Sequence, residues 1–136
     1  MNSFLRLGFI PRGYDLALLV LRLWMGSALF LRHGLNKVSG FSRMAAHFPD
    51  PFHIGARRSL ALAVFSDAVC SLLLVLGLGT RWAALIVAIN TGVAFVMVHK
   101  FQLMGDGSGE LAWVYFGAAL TLFLAGGGRF SVDGRD

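Results

Sequence analysis

The stretch Leu16–Leu35 is apolar over about the ~20 residues that cross a bilayer, yet it carries Arg22 in its interior. An arginine at that depth costs about 2.5–3.5 kcal/mol on insertion scales, so it must point at a partner or a wet cavity. The run closes in His33-Gly34-x-x-Lys37. At about 100° per residue, the steps from Arg22 to His33 return to within ~20° of the same helix face, roughly 16 Å further along the axis. Lys37 follows one turn later. One helix thus has a cation at depth and two basic groups near its end.

Composition explains what such a helix is doing. Of 136 residues, 57% are hydrophobic and 14% charged, and mean hydropathy is +0.70. Soluble domains run about 45–50% apolar and about 25% charged, and a soluble fold of this size has too little interior to hide the excess. A single integral membrane domain over residues 1–136 is expected, with the lipid bilayer as its first partner. The net charge of +5 sits on residues that flank apolar segments, the usual placement in membrane proteins. No nucleic-acid motif accompanies it. Cys70 is the sole cysteine, which rules out an internal disulfide or a CxxC centre. The lead-in Met1–Asp15 lacks the order of a cleavable signal peptide, so the first span should serve as its own insertion signal.

Hydropathy places spans at about 16–35, 59–78, 82–98 and 110–125. The fold expected is all-α, an integral membrane up-down-up-down four-helix bundle. In the first connection Phe41, Met44, Ala45 and Phe48 recur at helical spacing and predict a short amphipathic helix lying at the interface between spans one and two. Pro49-Asp50-Pro51 ends it. Gly77-Leu-Gly79-Thr80-Arg81 is a tight turn, and Gly126–Gly128 stops the last helix. Both termini then share one face. The positive-inside rule ties, with five basic residues against six; cytoplasmic termini are taken as the orientation.

Polar residues inside spans carry whatever chemistry there is. Arg22 in span one and Asp67 in span two fall at similar depth by rise arithmetic, and the expectation is a buried charge pair. His33, Lys37, His99 and Glu110 gather at the opposite face from the termini and outline a polar pocket. Such a pocket could relay protons near neutral pH or hold an anion or a quinone carbonyl. Each residue also has a plain structural reading: the charge pair as glue between spans, the histidines as helix-end residues. Haem between His33 and His99 is sterically conceivable but disfavoured, and copper at His99 with Met97 or Met104 has a weak signal. No metal site and no resident cofactor are assigned. Asn90 is the one strongly polar residue of span three. No P-loop, dinucleotide fingerprint, nucleophile elbow or HExxH occurs, so whether the chain is an enzyme is left open.

The ordered pieces resemble the DoxX family of small four-span membrane proteins. Leu21–Lys37 carries the arginine and the His-Gly-x-x-Lys block, and Leu76-Gly-Leu-Gly-Thr-Arg-Trp-Ala-Ala84 matches the family's Gly-x-x-Thr-Arg-x-Ala-Ala turn. Gly109-Glu110 and Gly126-Gly-Gly-Arg-Phe-Ser-Val-Asp133 resemble its closing elements. Asp67-Ala-Val-Cys-Ser71 stands where the family usually has a glutamate followed by glycines. The resemblance implies a bacterial inner-membrane address. It also implies a role beside a membrane redox complex, since relatives include a subunit of an archaeal thiosulfate:quinone oxidoreductase. On that reading the chain holds no cofactor of its own beyond a quinone, and an oxidoreductase partner supplies the redox centre. A homo-oligomer is open, and the alternative is a scaffold or small-solute carrier.

Overall fold

A computed structural model describes residues 5–10 and 13–135. Among them every regular element is helical. Helix α1 runs Tyr14–Ser39, α2 is the single turn Phe41–Met44, α3 is Ala56–Leu76, α4 is Thr80–Val98 and α5 is Glu110–Ala125. A short 3₁₀ turn, Asp133–Arg135, closes the tail. Helices α1, α3 and α4 are long and apolar enough to cross a membrane. Helix α5 is equally apolar but has 16 residues. Exposed Trp24, Trp82 and Leu124 on outward faces are what lipid contact permits and water would penalise.

Small residues set the packing. Ala83, Ala84 and Ala88 of α4 meet Ala119 and Leu122 of α5 in the core, with Leu29, Leu74 and Val87 filling the centre. In lipid, close approach of this kind replaces the hydrophobic drive that water would supply. Gly34 brings α1 against α3: a Cβ there would lie 2.5 Å from the Asp67 carbonyl oxygen. The α3–α4 turn needs Gly77, whose φ is 73°, a left-handed geometry that side chains resist.

Each of the three long helices contains one π-helical turn, at Phe30–Gly34, Phe65–Cys70 and Ala94–Val98. The Leu35 amide bonds the Phe30 carbonyl, and the His99 amide the Ala94 carbonyl at 2.9 Å. Such turns widen a helix and concentrate at functional sites. The Ser71 hydroxyl donates to the Asp67 and Ala68 carbonyls at 2.6 and 3.0 Å, satisfying oxygens that the wide turn would leave short of partners in lipid.

The amphipathic helix expected across Phe41–Phe48 is confined to Phe41–Met44. The rest of that connection is organised instead by Asp50. Its carboxylate accepts hydrogen bonds from the Ile54 and Gly55 amides and from the Ser59 hydroxyl, tying the loop to the first turn of α3. Burial pushes the Asp50 carboxyl up, but the three donors outweigh it and hold it below its ordinary value.

Candidate functional site

The buried arginine and the buried aspartate occupy different sites. Arg22, fully buried, donates from Nε to the Gly127 carbonyl at 3.0 Å, from Nη1 to Leu74 and Val75 at 3.1 Å each, and from Nη2 to Phe130 at 2.9 Å. It therefore closes the C-terminal end of α3, where the last carbonyls have no intrahelical partner, and pins the chain that follows α5 against it. The pairing with Asp67 expected from depth does not form. Gly26 packs on Ser71 and Val75 while Gly34 packs on Asp67 and Ala68, so Arg22, one turn before Gly26, faces the end of α3. Hydrogen bonds involving a charged group contribute about 1.5–3 kcal/mol each, and together they offset the cost of placing the guanidinium there.

Asp133 completes this end of the molecule. Its carboxylate accepts from the Gly79 and Thr80 amides at 2.8 and 2.7 Å, capping α4 from a distant part of the chain. Burial pushes its carboxyl up; the amide donors and the nearby Arg22 charge override this and hold it below the usual carboxylate range.

Asp67 pairs with Lys37. Lys37 Nζ lies 2.7 Å from Asp67 Oδ2, and the two side chains are 14% and 6% exposed. Asn90 Nδ2 donates to the other carboxylate oxygen, Oδ1, at 3.1 Å. Among the described residues this is the only ion pair. It joins α1, α3 and α4 at one point, within a π turn of α3.

Beside this triad is a cavity of about 600 Å³, lined mainly by apolar side chains such as Leu29, Leu62, Phe65, Ile86 and Ile89, together with Lys37, Asp67 and Asn90. His33 lines it, its ring edge-on to Tyr115 with centroids 5.7 Å apart. Two lining residues hold buried polar atoms without a hydrogen-bond partner among the described residues, His33 Nε2 and Ser66 Oγ. His99 and Ser108 line the cavity near the α4–α5 connection, where His99 Nδ1 is 2.8 Å from the Gly107 carbonyl oxygen. Glu110 is exposed at the start of α5 and is not part of the lining. The cavity therefore contains His33, Lys37 and His99 of the expected pocket, replaces Glu110 by Asp67, and adds Asn90, Ser66 and Tyr115. Asn90 had a sequence signal, being the lone strong polar group of its span. Ser66 and Tyr115 had none, since single hydroxyls are common in apolar helices.

The chain matches the DoxX family model over residues 17–100. This chain belongs to the DoxX family. The matched region spans α1 to α4 and contains every charged or amide group of the triad, whereas α5 and the Asp133 cap lie beyond it. The chain is also 31% identical over 128 residues to an uncharacterized protein of Haemophilus influenzae, a match covering 89% of this chain and 83% of that one. No solved structure matches it. It is thus a multi-pass membrane protein of the DoxX family by sequence and by the character of its helices.

Proposed function

We propose that this DoxX-family chain is a bacterial inner-membrane protein that holds a quinone headgroup in its cavity and serves as a subunit of a membrane redox complex. An oxidoreductase partner would supply the electrons. In this reading α1, α3, α4 and α5 all cross the bilayer in up-down-up-down order, with the termini cytoplasmic. The observation that carries the proposal is the pairing of an apolar cavity with His33 Nε2, a buried ring nitrogen that has no partner among the described residues. Leaving such an atom dry costs about 1–3 kcal/mol, and a ligand that meets it would remove the cost.

The residues present suit a quinone. A quinone brings two carbonyl acceptors on an apolar ring and, when bound, accepts electrons together with protons. His33, in the tautomer protonated at Nε2, donates to one carbonyl, and Lys37 has N–H groups to spare beyond its bond to Asp67. Asp67 holds Lys37 and Asn90 in place, with both of its own oxygens engaged. Apolar walls keep bulk water from these hydrogen bonds, which strengthens them.

The purified protein in mild detergent should show a saturable rise in unfolding temperature with decylubiquinone, and His33→Ala should weaken the apparent affinity about threefold to tenfold, the loss of one hydrogen bond. Absence of a saturable shift in the folded wild-type protein would sink the quinone reading. Mass spectrometry of the same preparation should find a co-purifying oxidoreductase. A small-solute carrier is the second reading, favoured by the polar His99 and Ser108 at the loop end of the cavity.

A further inference from the structure

The cavity is dressed differently at its depth, its side and its loop end. At depth, Ser66 is 0% exposed and its Oγ, like His33 Nε2, lacks a partner among the described residues. At the side, Leu62, Phe65 and Ile89 line the same cavity and are 60%, 45% and 57% exposed. Leu62 and Phe65 belong to α3 and Ile89 to α4, both long and apolar enough to span. In a bilayer, apolar side chains left exposed along a spanning helix meet hydrocarbon. At the loop end, Phe48, Pro49, Pro51 and Phe52 contribute apolar lining, in a loop that Asp50 ties to α3.

We propose that the cavity is filled sideways from the bilayer, through the seam between α3 and α4 bounded by Leu62, Phe65 and Ile89. The ligand is a lipid-soluble molecule whose uncharged polar head reaches Ser66 and His33 while its apolar tail stays among the acyl chains. The inference rests on the cavity being a ligand site, and adds the route and the class of occupant. The head is uncharged because the site has no charge to spare: Lys37 and Asp67 neutralise each other, and Asn90 takes the second carboxylate oxygen. An ion entering there would lose its hydration with nothing to replace it. A tail that remains in hydrocarbon loses no favourable solvent and needs no further pocket. A water-soluble solute would instead have to enter at the loop end, between the apolar Phe48–Phe52 loop and His99 and Ser108.

Thiol labelling in lipid vesicles tests this without reference to any quinone. Cys70 is replaced (Cys70→Ala), and Ser66→Cys is compared with Ser42→Cys, an exposed position in the α2 turn. The probes are N-cyclohexylmaleimide, which partitions into lipid, and the charged 2-sulfonatoethyl methanethiosulfonate. Taking the rate ratio of the two probes at each site, then dividing by the ratio at the control, cancels the reagents' intrinsic rates. The expected preference for the lipid-soluble probe at Ser66→Cys is at least about tenfold, the ratio given by ~1.4 kcal/mol of preferential access. Adding Ile89→Trp should cut that lipid-probe rate severalfold and leave the control unchanged. If Ser66→Cys misfolds, Ala63→Cys reads the same cavity, since Ala63 also lines it and is 4% exposed. A normalised ratio near one, a preference for the charged probe, or no labelling by either would overturn the proposal. A missing quinone shift with sideways labelling intact would remove the redox reading alone, whereas a quinone shift with aqueous labelling would remove the seam alone.

Discussion

Replacing Lys37 by methionine keeps the length and most of the volume of the side chain and deletes only its charge. At the 2.7 Å separation of Nζ and Oδ2, the Coulomb attraction is about 6 kcal/mol at an effective dielectric of ~20. Part of this is consumed by the desolvation of both groups, and removing one partner of a buried pair costs about 3–5 kcal/mol. The two halves of the pair should not cost the same. Lys37, 14% exposed and within the last turn of α1, can swing its ammonium toward the interface when its partner is lost. Asp67 sits roughly 16 Å along α3 from Ala56 and is 6% exposed, so its short side chain has nowhere to go. Lys37→Met should therefore destabilise by about 3–4 kcal/mol and Asp67→Asn by about 1–2 kcal/mol. The double variant should cost less than the sum by at least ~2 kcal/mol, because it leaves no orphaned charge. The chain carries its own reporter: Cys70 is fully buried, so a thiol-reactive fluorophore follows unfolding in a denaturing-detergent titration. Single variants within ~1 kcal/mol of wild type, or a double variant equal to the sum of the singles, would refute the reasoning.

Arg22→Lys keeps the charge but loses the planar fork that reaches Gly127, Phe130 and the end of α3 together; limited proteolysis should then cut the tail after Gly128 severalfold faster, and an unchanged rate would show the tail is held by other means. Gly34→Ala forces α1 and α3 apart at the Asp67 backbone and should lower stability by about 1–3 kcal/mol, the range for overpacking, measured in the same detergent titration. Asp133→Ala removes a cap worth roughly 1 kcal/mol. Because the Asp133 carboxyl is held below its ordinary value, its stabilisation is complete above that ordinary value and is lost as pH falls through the lower, folded one; thermal scans below about pH 4 should show wild type losing its advantage over Asp133→Ala.

The sequence made helices and their polar residues legible because hydropathy and periodicity are properties of side chains. It made partners legible only where both partners are side chains of distinctive type. Lys37, Asp67 and Asn90 each stand out in their spans, yet two choices existed for Asp67, and depth arithmetic selected the wrong one. The error had two sources. Helices α1 and α3 do not pack with their ends level: Gly34 lies against Asp67 and Gly26 against Ser71 and Val75, so Arg22 falls opposite the end of α3 rather than opposite Asp67. The true partners of Arg22 are backbone carbonyls, and a carbonyl has no sequence signature. The π turns were invisible for the same reason: nothing in Phe30–Gly34 or Ala94–Val98 announces a wider backbone. The amphipathic pattern across Phe41–Phe48 was real, but Asp50 and the two prolines spend that segment on anchoring α3.

The π turns have a genetic reading. A wide turn is an α-helix with one residue too many, absorbed locally without shifting the ends. In α1 and α3 these turns pack against each other through Gly34 and Asp67, and the third borders the cavity in α4. A single-codon deletion inside one of them would return that helix to regular winding: the residues on either side keep their faces, and only those of the turn itself, His33 in α1 or Asp67 in α3, are re-aimed. The spans would remain apolar and long enough to insert, while Asp67 or His33 would turn away from the cavity. Chains of this architecture can thus gain or lose the pocket by one insertion or deletion, without passing through a form that fails to enter the membrane.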